Sequence, residues 1–160
     1  MGDARSQLWL TSALSDDDVA KALTLCFSLR KTMTTRKIGV IVCKQVSPTL
    51  RKILLRTFDI FLHLEEDDNS AGLEMEEFVK LYALTLKWFE KIVYFKPTML
   101  AMKNSDEIFH ENEQDTGKNC EWTEGENASV LLVKPSLETF GLLMKGLQAR
   151  NGKGNVKQLH

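Results

Sequence analysis

Residues 38–43, with the sequence IGVIVC, constrain the fold more than any other part of the chain. The run is apolar on both faces, which is typical of a strand in a parallel sheet that is covered by helices on both sides. Four more short runs share this apolar character: residues 8–14, 59–64, 92–95 and 130–133. The sequence therefore predicts a sheet of five largely buried strands.

The segments between these runs repeat apolar residues at helical spacing. The predicted helices span residues 16–31, 48–57, 73–89 and 136–148. Strands that alternate with helices predict an α/β fold with a mostly parallel sheet. Ligands of such sheets bind beyond the carboxyl ends of the strands. However, no G-x-G-x-x-G motif follows the first strand and no G-x-x-x-x-G-K-[ST] motif occurs in the chain.

Composition and charge argue against several classes of protein. The 160 residues are enough for one domain with its own core. The formal net charge of −1 argues against a nucleic-acid partner, and no apolar run reaches the ~18–20 residues that cross a bilayer. Three scattered cysteines without a C-x-x-C motif argue against a zinc site and indicate a reducing compartment. We expect a cytoplasmic protein that binds neither nucleic acid nor membrane.

The last predicted helix has a broad apolar face. We expect the sheet to cover only part of this face, so that the isolated chain self-associates or needs a partner. The ordered core is expected to span about residues 7–149, with a frayed tail over 150–160. The face consists of Leu137, Phe140, Leu143, Met144 and Leu147.

Several segments carry a family resemblance, in the same order along the chain as in that family. They are QLWLTSALSDDDVAKALTLCFSLRK, then Thr34-Thr35-Arg36-Lys37 with IGVIVCKQVSPTLRKILLRTFD, then KIVYFKPTMLAMKNSDEIF and NASVLLVKPSLETF. Together they resemble glycogenin, the self-glucosylating primer of glycogen synthesis in family 8 of the retaining glycosyltransferases. The similarity covers nearly the whole chain, with gaps around residues 71–77 and within 111–125. It implies the GT-A fold and a single domain over 1–160 that lacks the C-terminal part of the family domain.

The resemblance also implies that a metal site has been lost. Members of the family carry D-x-D at the end of the fourth strand, where two carboxylates hold Mn²⁺ against the diphosphate of UDP-glucose. Lys96 and Thr98 occupy those positions here. An ammonium group cannot ligate a cation, and a single hydroxyl is a poor ligand. We therefore expect no bound metal, no cofactor and no catalytic residue.

Three positions at which the family binds the nucleotide sugar are retained, namely Thr11, Lys80 and Asn127. Thr11 is better explained as a strand residue that packs in the sheet, and Lys80 is equally well explained as a solvated lysine on an amphipathic helix. The family holds the uracil with an Asn and a Tyr, where this chain has Ser15 and Asp18. An aspartate loses the stacking face of the aromatic ring and adds negative charge near a phosphate.

Three functions are compatible with this sequence. The first is a catalytically inactive, glycogenin-like protein that is linked by resemblance to glycogen biosynthesis. It would bind itself, an active glycogenin or glycogen synthase. The second is a degenerate relative with no retained function. The third is an active UDP-glucose-dependent glucosyltransferase that primes glycogen, and a metal-free form of it would use Lys96 to neutralise the diphosphate. The loss of the metal carboxylates favours the first two.

Overall fold

The computed structural model describes residues 3–64, 73–110 and 130–158, and these contain five strands and four α-helices. Short 3-10 helices lie at Ala4–Ser6, Ala83–Thr85 and Asp106–His110. The other elements, in chain order, are β1 (Gln7–Ala13), α1 (Asp16–Lys31), β2 (Lys37–Cys43), α2 (Pro48–Thr57), β3 (Ile60–Leu64), α3 (Met75–Tyr82), β4 (Lys91–Phe95), β5 (Val130–Val133) and α4 (Leu137–Gln158).

The five strands form one sheet in the order β3-β2-β1-β4-β5. β1 lies in the centre, and all seven of its residues are buried. It pairs in parallel with β2, where Leu8 faces Lys37, and with β4, where Gln7 faces Lys91. β2 and β3 are also parallel, whereas β5 runs antiparallel to β4. The prediction of a mostly parallel α/β sheet with five strands is confirmed.

Each face of the sheet is covered by its own layer of helices. Successive residues of a strand point to opposite faces, so Leu8 and Leu10 contact one layer while Trp9 and Ala13 contact the other. The first layer contains α3, the 3-10 helix Ala83–Thr85 and the inner side of α4. The second layer contains α1 and α2. None of the helices within the described ranges is long and apolar enough to cross a membrane.

The third helix is shorter than the helix predicted over residues 73–89. α3 begins at Met75 and ends at Tyr82, and the 3-10 turn that follows leads into β4. The carbonyl of Leu84 accepts a hydrogen bond from the Ser136 N–H at 2.9 Å. That carbonyl therefore serves the start of α4 instead of another turn of α3.

The final helix differs from its prediction in length. α4 ends at Gln158, whereas the sequence predicts an end at residue 148 and a frayed tail. The tail contains no proline to stop a helix. Of the predicted apolar face, Met144 is buried, and Phe140, Leu143 and Leu147 pack against the core. The face is therefore covered only in part, as predicted, and Leu137 is its one largely exposed member.

A polar cluster fixes the segment after β4 to the loop before β2. Asp106 accepts hydrogen bonds from the Thr34 hydroxyl and, at 3.1 Å, from the Thr35 N–H. Its carboxylate also lies 3.3 Å from the Arg36 guanidinium, in an ion pair whose side chains are only 11% and 12% exposed. Arg36 in turn donates to Gln7 at 2.8 Å and lies over the Phe109 ring. The cluster thus ties the loop to the N-terminal end of β1.

Trp9 connects this polar cluster to the core. Its indole N–H donates to the Thr34 hydroxyl at 2.9 Å. Its ring stacks on Phe95, with centroids 5.1 Å apart, and meets Phe109 edge-on at 4.6 Å. Offset and edge-on ring pairs of this kind add stability beyond simple burial. The side chain therefore joins β1, β4 and the Asp106–His110 turn in one packed unit.

We expect Asp106→Asn to lower the free energy of unfolding by about 1–3 kcal/mol at neutral pH, because it removes a charge-assisted bond and leaves Arg36 without its carboxylate. Burial raises the pKa of Asp106, but the bonds from Thr34 and Thr35 and the Arg36 charge outweigh it and hold the pKa below its usual value. A lowered carboxyl pKa stabilises the fold above the unfolded pKa of about 4, and this stabilisation is lost as pH falls through the folded pKa.

Urea denaturation of both proteins between pH 7 and pH 3 measures this difference, which should shrink towards the acid end. Glu107→Gln is the matched control, since Glu107 is the exposed neighbouring residue and undergoes the same loss of charge. A difference between the wild type and Asp106→Asn that is independent of pH would contradict the prediction.

Candidate functional site

The candidate site lies where the strand order reverses. β1 and β4 are neighbours in the sheet, although β2 and β3 follow β1 in the sequence. The chain runs from β1 to β2 and β3 on one side and then returns to β4 on the other side. In open α/β sheets, a switch point of this kind forms a ligand-binding crevice at the carboxyl ends of the strands. Residues 11–14 and 95–98 form these ends. We call them the switch-point edge.

Thr11 holds the two strands together at this edge. The residue is buried, and its hydroxyl donates a hydrogen bond to the Phe95 carbonyl at 2.8 Å. This contact agrees with the interpretation of Thr11 as a strand residue that packs in the sheet. The hydroxyl thus joins the end of β1 to the end of β4.

One residue further along β1, Ser12 and Tyr94 form a buried pair. Their hydroxyls lie 2.8 Å apart. Burial raises the pKa of the Tyr94 hydroxyl well above its usual value, the Ser12 bond partly offsets this, and the negative charges of Glu76, Asp18 and Glu77 raise it further. Tyr94 is therefore protonated at physiological pH and does not act as an anionic base.

Lys96 forms an ion pair at the switch-point edge. Its ammonium lies 3.3 Å from a carboxylate oxygen of Glu76, in the first turn of α3. The Lys96 side chain is 23% exposed and that of Glu76 is 49% exposed. Thr98, two residues after Lys96, is exposed. Glu76 could not be predicted as a partner of Lys96, because nothing in the sequence pattern links a helix residue to a position twenty residues away.

Lys80 lies on the buried side of α3. Its side chain is only 4% exposed, and the ammonium lies 3.4 Å from Glu77, one turn earlier in the helix. The interpretation of Lys80 as a solvated lysine is therefore wrong. The i,i+3 spacing of Glu77 and Lys80 is the sequence signal that indicates such a pair. Burying a lysine is costly without a carboxylate partner, which explains why Glu77 is needed here.

The remaining predicted positions have different outcomes. Asp18, at the family's uracil position, accepts a hydrogen bond from the Leu14 N–H at 3.0 Å and so supports the turn after β1. Ser15 precedes α1, and its side chain makes no capping hydrogen bond. Asn127 lies outside the described residues.

The residues at this edge do not fit a Mn²⁺ ion. Mn²⁺ favours carboxylate and other oxygen ligands, but the two positions that carry the family's carboxylates hold an ammonium and an exposed hydroxyl. Glu76, the nearest carboxylate to Lys96, already pairs with that ammonium. Within residues 3–64, 73–110 and 130–158, no three His, Cys, Asp or Glu side chains form a group that could hold a metal.

The chain is similar in sequence to glycogenins. No family model matches the chain. It is 30% identical over 149 residues to glycogenin-1 of Caenorhabditis elegans, covering 87% of this chain and 34% of the relative. It is 32% identical over 148 residues to glycogenin-2 of Homo sapiens, covering 87% and 30% respectively. The chain therefore spans about a third of the length of these relatives.

Solved structures agree with this relationship at the level of the fold. The galactosyltransferase LgtC, in complex with donor and acceptor sugar analogues, aligns with a TM-score of 0.53 at 17% identity, covering 79% of this chain and 57% of that one. The glycosyltransferase GlyE of Streptococcus pneumoniae aligns with a TM-score of 0.55 at 13% identity, covering 91% and 37%. The sheet and its flanking helices have the GT-A fold, and over most of its length the chain is similar in sequence to glycogenins.

Proposed function

We propose that this chain is a glycogenin-like pseudoenzyme of glycogen biosynthesis, which transfers no glucose and acts in the cytoplasm as a binding partner. One observation carries the proposal. Lys96 stands where the family has its first metal carboxylate, and its ammonium is bound to Glu76 at 3.3 Å. A positive charge fixed at this point repels a divalent cation.

The surroundings of Lys96 support the same conclusion. Metal-assisted transfer of a sugar from a nucleotide needs a cation that stabilises the negative charge developing on the leaving diphosphate. Thr98 offers one exposed hydroxyl, and the retained hydroxyl of Thr11 already donates to the Phe95 carbonyl. Neither group replaces the lost carboxylates. Activity as a UDP-glucose-dependent glucosyltransferase therefore has little support among the described residues of this site.

An exposed apolar surface supports a role in binding a protein partner. The segment after β4 lies along α1, because the Ala101 N–H donates to the Ser28 hydroxyl at 2.9 Å and the Asn104 amide donates to the Thr32 carbonyl at 3.1 Å. The residues that flank these contacts include four large, exposed apolar side chains. They are Phe27, Met33, Leu100 and Met102, which we call the α1 patch.

Apolar surfaces of this kind on soluble proteins often mark a site of association. The partners that the resemblance implies are a second copy of this chain, an active glycogenin or glycogen synthase. Among these we favour a second copy, because the exposed apolar side chains of the α1 patch on one copy can be buried against those of another.

We expect no glucose to be incorporated when the full chain is incubated with labelled UDP-glucose and Mn²⁺, because Lys96 and Thr98 at the switch-point edge do not fit a Mn²⁺ ion. Mass spectrometry of the intact protein measures the incorporation. A heat-denatured sample is the negative control and an active glycogenin is the positive control. Incorporation above the denatured sample would show that the chain is an enzyme.

We expect Lys96→Asp combined with Thr98→Asp to bind Mn²⁺ weakly without restoring transfer. The two new carboxylates would lie near Glu76 and supply oxygen ligands, but the position of the family's uracil-binding aromatic still holds Asp18. Electron paramagnetic resonance of free Mn²⁺ measures binding, and the transfer assay is run in parallel. Lys31→Asp with Met33→Asp is the control, because it makes the same change of charge at the end of α1 and in the residues that follow it. Transfer by the first variant would contradict the proposal.

We expect the full chain to form dimers or larger species, and Phe27→Ser combined with Met102→Ser to weaken them. Burying one large apolar side chain contributes roughly 1.5–3 kcal/mol, so losing two lowers association strongly. Light scattering coupled to size exclusion measures the mass over a range of concentrations. Trp88→Ser is the control, because Trp88 is an exposed aromatic residue outside the α1 patch. A wild-type chain that stays monomeric throughout is the result that would exclude self-association.

A further inference from the structure

Half of the α1 patch consists of methionine side chains. Five methionines lie in the described part of the chain, and two of them are largely exposed, Met33 at 80% and Met102 at 88%. The other three are covered, because Met144 is buried and Met75 and Met99 pack against the core. The two thioethers that the fold presents to solvent therefore both belong to the surface proposed for self-association.

The two exposed methionines lie close to one shared contact. The Asn104 amide donates to the Thr32 carbonyl at 3.1 Å. Met33 is the residue after Thr32, and Met102 lies two residues before Asn104. Because this bond holds the segment after β4 against the end of α1, both methionines belong to the same part of the surface.

The backbone of Met33 has an unfavourable conformation. Its φ of 64° lies in the left-handed region, where the β-carbon of an L-residue is crowded. Met33 follows Thr32, the C-cap of α1, and glycine is the usual residue at such a helix end. The position thus combines a strained backbone with an exposed apolar side chain. Packing within the fold offsets little of either cost, so we attribute Met33 to contact with a partner.

We propose that Met33 and Met102 are sites of reversible oxidation by peroxide, and that their conversion to methionine sulfoxide releases the self-association of the α1 patch. This inference rests on the proposed self-association and adds its regulation. The thioether sulfur attacks one oxygen of hydrogen peroxide, and an S–O bond forms as the O–O bond breaks. The departing hydroxide takes up the proton of the sulfur-bound oxygen and leaves as water. The sulfur loses two electrons and the peroxide gains them.

Oxidation changes the polarity of the surface at these two positions. A thioether is apolar and flexible, so it fills gaps in an interface, whereas a sulfoxide is polar. Burying the sulfoxide oxygen against apolar side chains of a second copy leaves it without a hydrogen bond, which costs free energy. The separate chain incurs no such cost, because water reaches both residues. Oxidation therefore favours the monomer and leaves the core intact.

The described thiols are poorer targets for the same oxidant. Cys26 and Cys43 are both buried. Burial raises the pKa of the Cys26 thiol above its usual value, and the hydrogen bond from Arg30 only partly offsets this. Since the thiolate is the reactive form of cysteine, Cys26 reacts slowly. Cys120 lies outside the described residues, so it needs a control variant.

Treatment of the full chain with hydrogen peroxide tests the inference. Peptide mass spectrometry measures the rate of sulfoxide formation at each methionine, and light scattering coupled to size exclusion measures the dimer dissociation constant before and after treatment. We expect Met33 and Met102 to be oxidised first. The dissociation constant should then rise about tenfold or more, since the interface loses two apolar side chains. Methionine sulfoxide reductases A and B should reverse the change.

Met33→Leu combined with Met102→Leu is the matched variant, because leucine is apolar and carries no sulfur. Each protein is compared with its own untreated sample, so that any effect of the substitutions on association cancels. We expect peroxide to leave the dissociation constant of this variant unchanged, and Cys120→Ser to respond as the wild type does. Circular dichroism checks folding. If the double variant is not folded, Met102→Leu alone replaces it and should lose part of the response.

Four results would overturn the inference. They are oxidation of Met75 or Met144 as fast as Met33, undiminished association of the oxidised wild type, an equal loss of association in the folded leucine variant, or no response in Cys120→Ser. A wild-type chain that is monomeric before treatment contradicts the proposed self-association, and glucose transfer contradicts the proposed loss of catalysis. Failure of this inference, in contrast, is read from a dimer that forms and does not respond to oxidation of its methionines.

Discussion

The complete burial of β1 is the constraint on which the rest of this structure depends. A strand whose seven residues are all inaccessible to water must have a neighbour on each edge and a layer on each face. β2 and β4 supply the edges, and the two helical layers cover the faces. Because β4 lies on the side of β1 away from β2, the chain order reverses there. The crevice at the switch-point edge is therefore a direct consequence of how the central strand is covered.

The strands could be predicted from the sequence because their signal is local, as in the run of residues 38–43. The antiparallel direction of β5 and the early end of α3 could not, since each depends on contacts with distant segments such as the bond from Ser136 to Leu84. In the candidate site, too, the positions could be predicted but their tertiary contacts could not. The resemblance identified Lys96, Thr98, Thr11 and Lys80 as positions of interest, but the Glu76 partner of Lys96 and the Asp106 cluster require knowledge of tertiary contacts.

A lysine in place of a metal carboxylate changes how charge is supplied at the edge. A bound cation comes from solution and leaves when it is chelated, whereas the ammonium of Lys96 is covalently attached and always present. Its neutralising partner is Glu76, from the same chain. This exchange is consistent with the proposed loss of metal-assisted transfer.

The connectivity of the sheet also has a kinetic consequence. The bond from Trp9 to Thr34 spans 25 residues, whereas the bond from Thr11 to Phe95 spans 84. The entropy lost on closing a loop grows with its length, and contacts distant in sequence slow folding. The chain loops that must close to bring β1, β2 and β3 together are shorter than the loop that must close to bring β4 beside β1. The crevice is therefore completed by the longest of these closures, and any condition that delays the docking of β4 leaves a chain with much of its secondary structure and no binding edge.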